Sequence, residues 1–356
     1  MNDKKRYLKQ HIKKCLKNIK KINPENAKLL ESFLAEKQVH TGLGIRSTYA
    51  RIAELITEHL DGKTFTEITR QDAVEFLNFL KSNYNRSCQS NYIGWFRGFM
   101  KSVYKVLEKK PPKWVKDDDL FKRKRHKKKI KENDLISVEE CEKIINATTT
   151  PRDALVISIL WETGAKISEV LDLKVGSIEP NGIDSFIIKM PNKKYDTKNT
   201  RSIIVKECTP RLREYLNYHP HKNDPEAWLF LKIDENGKLT YFQFLKRLKK
   251  AIKRTGIKKH IHPHLFRHTR LTIWARIYTE QVLKALANWS PSSDMAEVYV
   301  HFAEKDLIKQ QMKQYGLLHE NEKEEEKTIV ELKTVICPNC QEKTLHNTDF
   351  ACIVIL

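Results

Sequence analysis

Eleven residues set the limits on how this chain folds. Phe121 to Lys131 reads Phe-Lys-Arg-Lys-Arg-His-Lys-Lys-Lys-Ile-Lys, without one acidic side chain. Like charges at that density repel each other and resist burial, so the run is predicted to be an extended connector rather than part of a core. Pro111-Pro112 lies just upstream and ends any helix that reaches it, because proline lacks the backbone N–H a helix interior needs. The chain is therefore read as two folded parts with a basic linker at 111–134. In the first part, Tyr49, Ile52, Ile56 and Leu60 recur at helical spacing, as do Phe76, Phe79 and Leu80, and then Ile93, Phe96, Met100, Val103 and Leu107. Thr69 with Asp72 reads as a helix start. Residues 23–110 are predicted to form a small all-helical domain, and residues 1–22 a basic arm, either mobile or helical on a partner.

Beyond the linker the pattern changes. Ser137-Val138-Glu139-Glu140 is a capping box, with Ser137 as N-cap and Glu140 at the third helical position. Ala154 to Trp161 is an apolar helix that Gly164 breaks. Ile167, Val170, Leu171 and Leu173 begin the next segment. Phe186-Ile187-Ile188 and Ile203-Ile204-Val205 read as two short strands, joined as a hairpin by the polar stretch Asn192 to Thr200. Thr240 to Arg254 is an amphipathic helix with Phe244, Leu248 and Ile252 as its apolar stripe and Gly256 as its C-cap. Glu320 to Lys327 is an acidic, solvated spacer. The expected fold class is mainly α with one small β-hairpin or sheet.

Charge narrows the partners. Sixty-six Lys and Arg against 45 Asp and Glu leave a net charge of +21, which attracts polyanions, and nucleic acid is the commonest. Lys246, Arg247, Lys249, Lys250, Lys253 and Arg254 cover the helix at 240–254, and its width suits a DNA groove. Read alone, it is a charged surface helix or a DNA contact. The linker, with Lys122, Arg123, Lys124 and Arg125, is a solvated connector or a strap along DNA phosphates, where each neutralised phosphate releases counterions. The DNA reading is adopted for both. No apolar run reaches the length of a membrane span, and residues 1–21 do not read as a signal peptide, so the expected location is the cytoplasm, with no membrane partner. Cys15, Cys88, Cys141 and Cys208 are scattered and read as reduced thiols.

One ordered set carries chemistry. His264-Leu265-Phe266-Arg267 puts an imidazole and a guanidinium three residues apart, on one helix face. Trp289 follows, and Tyr299 lies ten residues beyond it. Cationic groups can grip a phosphate while a phenol attacks it, since a phenol with pKa near ten needs positive charge nearby to act as a nucleophile. Tyr278 and Tyr315 are the nearest rival tyrosines, but neither stands at that distance after the Trp. His262 and His268 read as supporting or structural.

These motifs, in this order, resemble the tyrosine recombinase (integrase) family, in the style of archaeal integrases and the chromosome-dimer-resolving Xer recombinases. The resemblance covers residues 24–316. It implies a helical core-binding (SAM-like) domain before an α+β catalytic domain at 135–316, with an acidic spacer and tail at 317–356. The family's first box, Thr-Gly-x-Arg-x-Ser-Glu, stands here as Thr163-Gly164-Ala165-Lys166-Ile167-Ser168-Glu169. Lys166 thus replaces the first catalytic arginine and loses the bidentate fork that grips two phosphate oxygens. Glu169 matches a bracing acid. Lys198, with Lys193 and Lys194 as rivals, matches the hairpin lysine that protonates the leaving 5′ oxygen. Resemblance assigns Arg267 to the phosphate and His264 to proton handling. Trp289, an N–H donor only, takes a position at which many members carry histidine and some carry tryptophan. Tyr299 is assigned as the nucleophile.

Such chemistry implies no cofactor, because the covalent phosphotyrosine conserves the energy of the broken bond. It also implies double-stranded DNA as partner and a homotetramer on two sites. The tail resembles half a zinc ribbon, with Cys337, Cys340 and Cys352 but Ile355 where a fourth cysteine would stand. His346 is poorly spaced to complete a site, so a degenerate ribbon is expected. Two alternatives stay open: a DNA-binding relic that no longer cuts because of Lys166, and a type IB-like topoisomerase.

Overall fold

The computed structural model describes residues 3–122, 132–191, 201–234, 237–299, 315, 335–336 and 343–344. The chain divides into two compact units, residues 1–128 and 129–356. The first is all-helical: α1 (Asp3–Ile22), α2 (Pro24–Gln38), α3 (Leu43–His59), α4 (Arg70–Asn83), α5 (Arg86–Val106) and the single turn α6 (Lys113–Lys116). Its core is aromatic, with Phe33, Phe65, Phe76, Phe96 and Phe99 wholly buried and meeting largely edge to face. Thr69 and Asp72 form a reciprocal capping box on α4.

Two expectations change here. Residues 3–22 are not a separate arm. They form α1, which buries Cys15 and Ile19 in the unit's core. Asn18 Nδ2 donates to buried Glu54 of α3 at 2.7 Å, and the Cys15 thiol lies 3.3 Å from the same carboxylate. The front of the linker is not extended either. Trp114, Val115 and Phe121 are buried in the same core, so residues 111–122 finish this unit rather than leave it. Lys122 is exposed, while Arg123, Lys124 and Arg125 lie outside the described residues.

The second unit begins with α7 (Val138–Asn146), where the Ser137–Glu140 box closes in both directions. It continues through α8 (Pro151–Thr163), α9 (Ile167–Val170), β1 (Ile178–Pro180), β2 (Phe186–Met190), β3 (Arg201–Val205), α10 (Thr209–Asn217), α11 (Tyr241–Thr255), α12 (Pro263–Ile277) and α13 (Glu280–Leu286). β1, β2 and β3 form one antiparallel sheet in that order, with Ile188 opposite Ile203. The expected hairpin is β2 and β3, and β1 adds a strand the sequence pattern did not reveal. Phe186, Ile188, Met190, Ile203 and Val205 face the core, as a period of two requires.

α8 is buried from Arg152 to Thr163 and packs against α12. Buried Glu162 holds the turn after β3 to α8 by accepting the backbone N–H groups of Lys206, Glu207 and Cys208. Cys141 and Cys208 are buried thiols, and Cys15 and Cys88 are also free. A further antiparallel pair, β4 (Val335–Ile336) with β5 (Lys343–Thr344), lies in the tail. Cys337, Cys340, His346, Cys352 and Ile355 are outside the described residues, as are Lys193, Lys194 and Lys198. No described helix is long and apolar enough to cross a membrane.

Candidate active site

The site is assembled from three stretches that local chemistry fixes one by one. The first is the turn between α8 and α9. Gly164 ends α8 in the left-handed region at φ +54, which glycine adopts without steric cost. A Cβ there would come within 3.2 Å of the Arg270 side chain. The turn presents the Gly164 carbonyl and leads into Lys166.

The second stretch is α12. His262 caps it by accepting the Leu265 N–H on Nδ1, and Pro263 occupies the first helical position, where no donor is needed. His264, Arg267 and His268 then follow one above another on one face. The third stretch follows α13. Asn288 takes φ +55 just beyond the helix, and the Trp289 N–H donates back to the Lys284 carbonyl at 2.9 Å. That is a Schellman-type stop, which asparagine tolerates, and it sets where the Trp289 ring goes.

Arg267 joins the stretches. It is 2% exposed. One terminal nitrogen donates to the Gly164 carbonyl at 2.8 Å and the other to the Ala287 carbonyl at 2.6 Å. Its guanidinium carbon lies 5.7 Å from the centre of the Trp289 ring, within cation–π range. Burial lowers its pKa, while the charge of Glu169 and the Tyr299 phenol work the other way.

Tyr299 is buried with only 1% of its surface open. Its ring stacks on Trp289 at 5.7 Å between centroids and on His268 at 5.9 Å. Its hydroxyl lies 2.7 Å from His268 Nδ1. Burial pushes the phenol up to about 12, and the charge of Arg267 opposes that rise. The His264 ring meets His268 edge-on at 4.5 Å. His264 is partly open to solvent and partly packed against protein. That packing, and then the charges of Arg267, His262 and Lys166, lowers its pKa. The imidazole is therefore neutral at pH 7.

Glu169 lies beneath, 4% exposed. It accepts the Lys166 backbone N–H at 2.9 Å and pairs with the Lys166 ammonium at 3.5 Å. It also binds the Arg201 guanidinium at 3.1 Å. Arg201 starts β3 and donates as well to the Leu286 carbonyl. Burial is the first cause bringing its pKa down to about 10, with Arg267 adding to the effect and Glu169 opposing it.

Lys166, Glu169, His264, Arg267, Trp289 and Tyr299 therefore lie in one cluster. Of the rivals, Tyr278 packs beside Trp274 at the end of α12, and Tyr315 is exposed. Of two further members of the cluster, Arg201 carries no role in the sequence reading and His268 only a supporting or structural one. Arg201 has a signal all the same: alternation along β3 places it on the buried face with Ile203 and Val205. His268 has a weaker one, its position four residues after His264 on the same helix face.

Residues 134–306 match the phage integrase family. This stretch is a phage integrase domain. The chain is 25% identical over 292 residues to a tyrosine recombinase of Thermosipho africanus, covering 78% of this chain and 95% of that protein. It is 26% identical over 258 residues to the tyrosine recombinase XerD of Listeria innocua, covering 68% and 84%. Transposase A from transposon Tn554 of Staphylococcus aureus is 29% identical over 224 residues, and the chain spans 58% of its length. In fold, the chain resembles a lambda integrase dimer bound to a COC′ core site, with a TM-score of 0.59, 12% identity, and coverage of 77% of this chain and 76% of that one. It also resembles XerH bound to palindromic difH, with a TM-score of 0.57, 18% identity, and coverage of 78% and 82%.

The integrase domain presents α11 as a basic helix, closed by Gly256 at φ +71. Lys246, Lys249, Lys250, Lys253 and Arg254 are exposed. The two arginines are partly engaged within the protein: Arg247 bonds Asp153 at 3.0 Å, and Arg254 donates to the Ala147 carbonyl at 2.9 Å. Among the described residues no cluster of His, Cys, Asp and Glu has metal-binding geometry.

Proposed function

We propose that this chain is a site-specific DNA recombinase or integrase that cleaves and rejoins DNA through a covalent 3′-phosphotyrosine on Tyr299. The observation that carries the reading is the convergence of a tyrosine, an indole and a buried arginine inside a phage integrase domain. Tyr299 Oη attacks the scissile phosphorus. Arg267, Lys166 and the Trp289 indole N–H take the nonbridging oxygens, where charge grows in the transition state. The 5′ oxygen leaves with a proton from Lys198. Glu169 holds Lys166 and Arg201 in place from below.

In this reading residues 23–110 with α1 are the core-binding domain, 135–316 the catalytic domain, and the acid-free run between them a strap on DNA phosphates. Four copies act on two double-stranded sites in the cytoplasm. The exposed lysines of α11 meet the phosphates or the groove. The tail from 317 is a spacer with a degenerate ribbon.

The test uses double-stranded sites selected from a random pool by binding, then nicked so that the cleaved flank diffuses away. A covalent DNA–protein adduct is expected on a denaturing gel, and Tyr299→Phe should remove it. Adduct formed by the phenylalanine variant would mean that another residue attacks. One observation favours a second reading, a protein that binds without cutting: Lys166 stands in the box where a guanidinium fork is expected.

A further inference from the structure

The hydroxyl of Tyr299 has a partner that the motif does not name. His268 Nδ1 lies 2.7 Å from Tyr299 Oη, and the two rings lie 5.9 Å apart and only 30° from parallel. The contact spans 31 residues of sequence, so it is created by the fold and not by proximity along the chain. It is also enclosed, because Tyr299 is almost wholly buried and the Trp289 ring stacks on its phenol. His264, one turn earlier on α12, meets His268 edge-on at 4.5 Å.

We infer that His268, rather than His264, is the group that takes the Tyr299 proton when the phenol attacks DNA. The inference rests on Tyr299 being the nucleophile. The phenol donates its O–H to the imidazole nitrogen 2.7 Å away when that nitrogen carries no proton. The tautomer with its proton on Nε2 leaves the Nδ1 lone pair facing the phenol. In the forward step the Oη–H bond breaks, its electron pair stays on oxygen, and the proton moves to Nδ1. That oxygen forms the bond to phosphorus as the bond from phosphorus to the 5′ oxygen breaks, and the leaving oxygen takes its proton from an acid on its own side. In the reverse step His268 returns the proton to the tyrosine. A base is needed because a phenol is uncharged at pH 7, and burial raises its pKa further, to about 12. A positioned base of this kind contributes on the order of 10² to 10⁴ in rate. His264, exposed on the same helix, is then left outside this proton transfer.

The experiment measures single-turnover adduct formation on the nicked substrate with the full chain. In His268→Asn, the amide oxygen stands in for Nδ1 as a hydrogen-bond acceptor but has no basicity. It should still bind DNA and should form adduct at least a hundredfold more slowly. Replacing Tyr299 with 3,5-difluorotyrosine, a more acidic phenol, should restore most of that loss in the His268→Asn background. A merely structural histidine would not respond to phenol acidity. If His268→Asn forms adduct at the parent rate, or if the fluorinated phenol restores nothing, His268 is not the base. Either result leaves the function standing as long as Tyr299→Phe abolishes the adduct. If Tyr299→Phe still forms it, the assignment of the nucleophile itself falls.

Discussion

At the scale of single residues, the proposed chemistry turns on Lys166. Its ammonium and its backbone N–H both engage Glu169, and its side chain is 41% exposed, so the position is open toward solvent. A guanidinium there could keep the Glu169 contact and offer a fork to phosphate, which an ammonium cannot. Lys166→Arg is therefore expected to speed adduct formation by about a hundred- to a thousandfold, equivalent to about 2–4 kcal/mol, by analogy with one oxyanion donor. Equal, undetectable cleavage by both forms on DNA that both bind would instead support the binding-only reading. The motif residues are legible in the sequence because their identities and order are local features of it. The Arg201–Glu169 and His268–Tyr299 contacts are not, because each pairs side chains more than thirty residues apart. Only the folded chain brings such partners together.

At the scale of elements, the α8–α12 pair is the frame of the site. Gly164 caps α8, passes beneath Arg270 and offers its carbonyl to Arg267. Gly164→Ala would force an L-residue into the left-handed region with its methyl 3.2 Å from two carbons of Arg270. The variant is expected to lose about 1–3 kcal/mol of stability in a denaturant melt. An unchanged midpoint would show that the turn relaxes freely.

Helix starts and stops are readable where capping chemistry marks them, at Thr69, Ser137 and Gly256. Short elements are not. β1 is three residues ending in proline, and α9 is one turn, too brief for any period to emerge. α1 reads as an arm because its lysines hide a stripe. Ile12, Cys15, Leu16 and Ile19 recur at helical spacing, and all four pack toward the core.

At the scale of the whole molecule, the sequence between the two units carries an acid-free run, in a chain of net charge +21. Binding to DNA should then depend steeply on salt. Changing Lys246, Lys249, Lys250 and Lys253 to alanine is expected to flatten the slope of log K against log salt by up to about 3.6, if all four meet phosphates. Arg247→Ala should change it far less, because that guanidinium is already paired with Asp153. A slope unmoved by the lysine quartet would place the DNA on another face.

In the proposed reaction, the enclosure of residue 299 also governs the fate of the cleaved strand. Water competes with a DNA end for any phosphoryl ester, and a pocket that excludes solvent suppresses that side reaction. With an indole on one side and an imidazole on the other, the ester linking this side chain to a broken strand would outlast its counterpart on an open surface. The strand end could then wait, still activated, until a 5′ hydroxyl arrives to be joined.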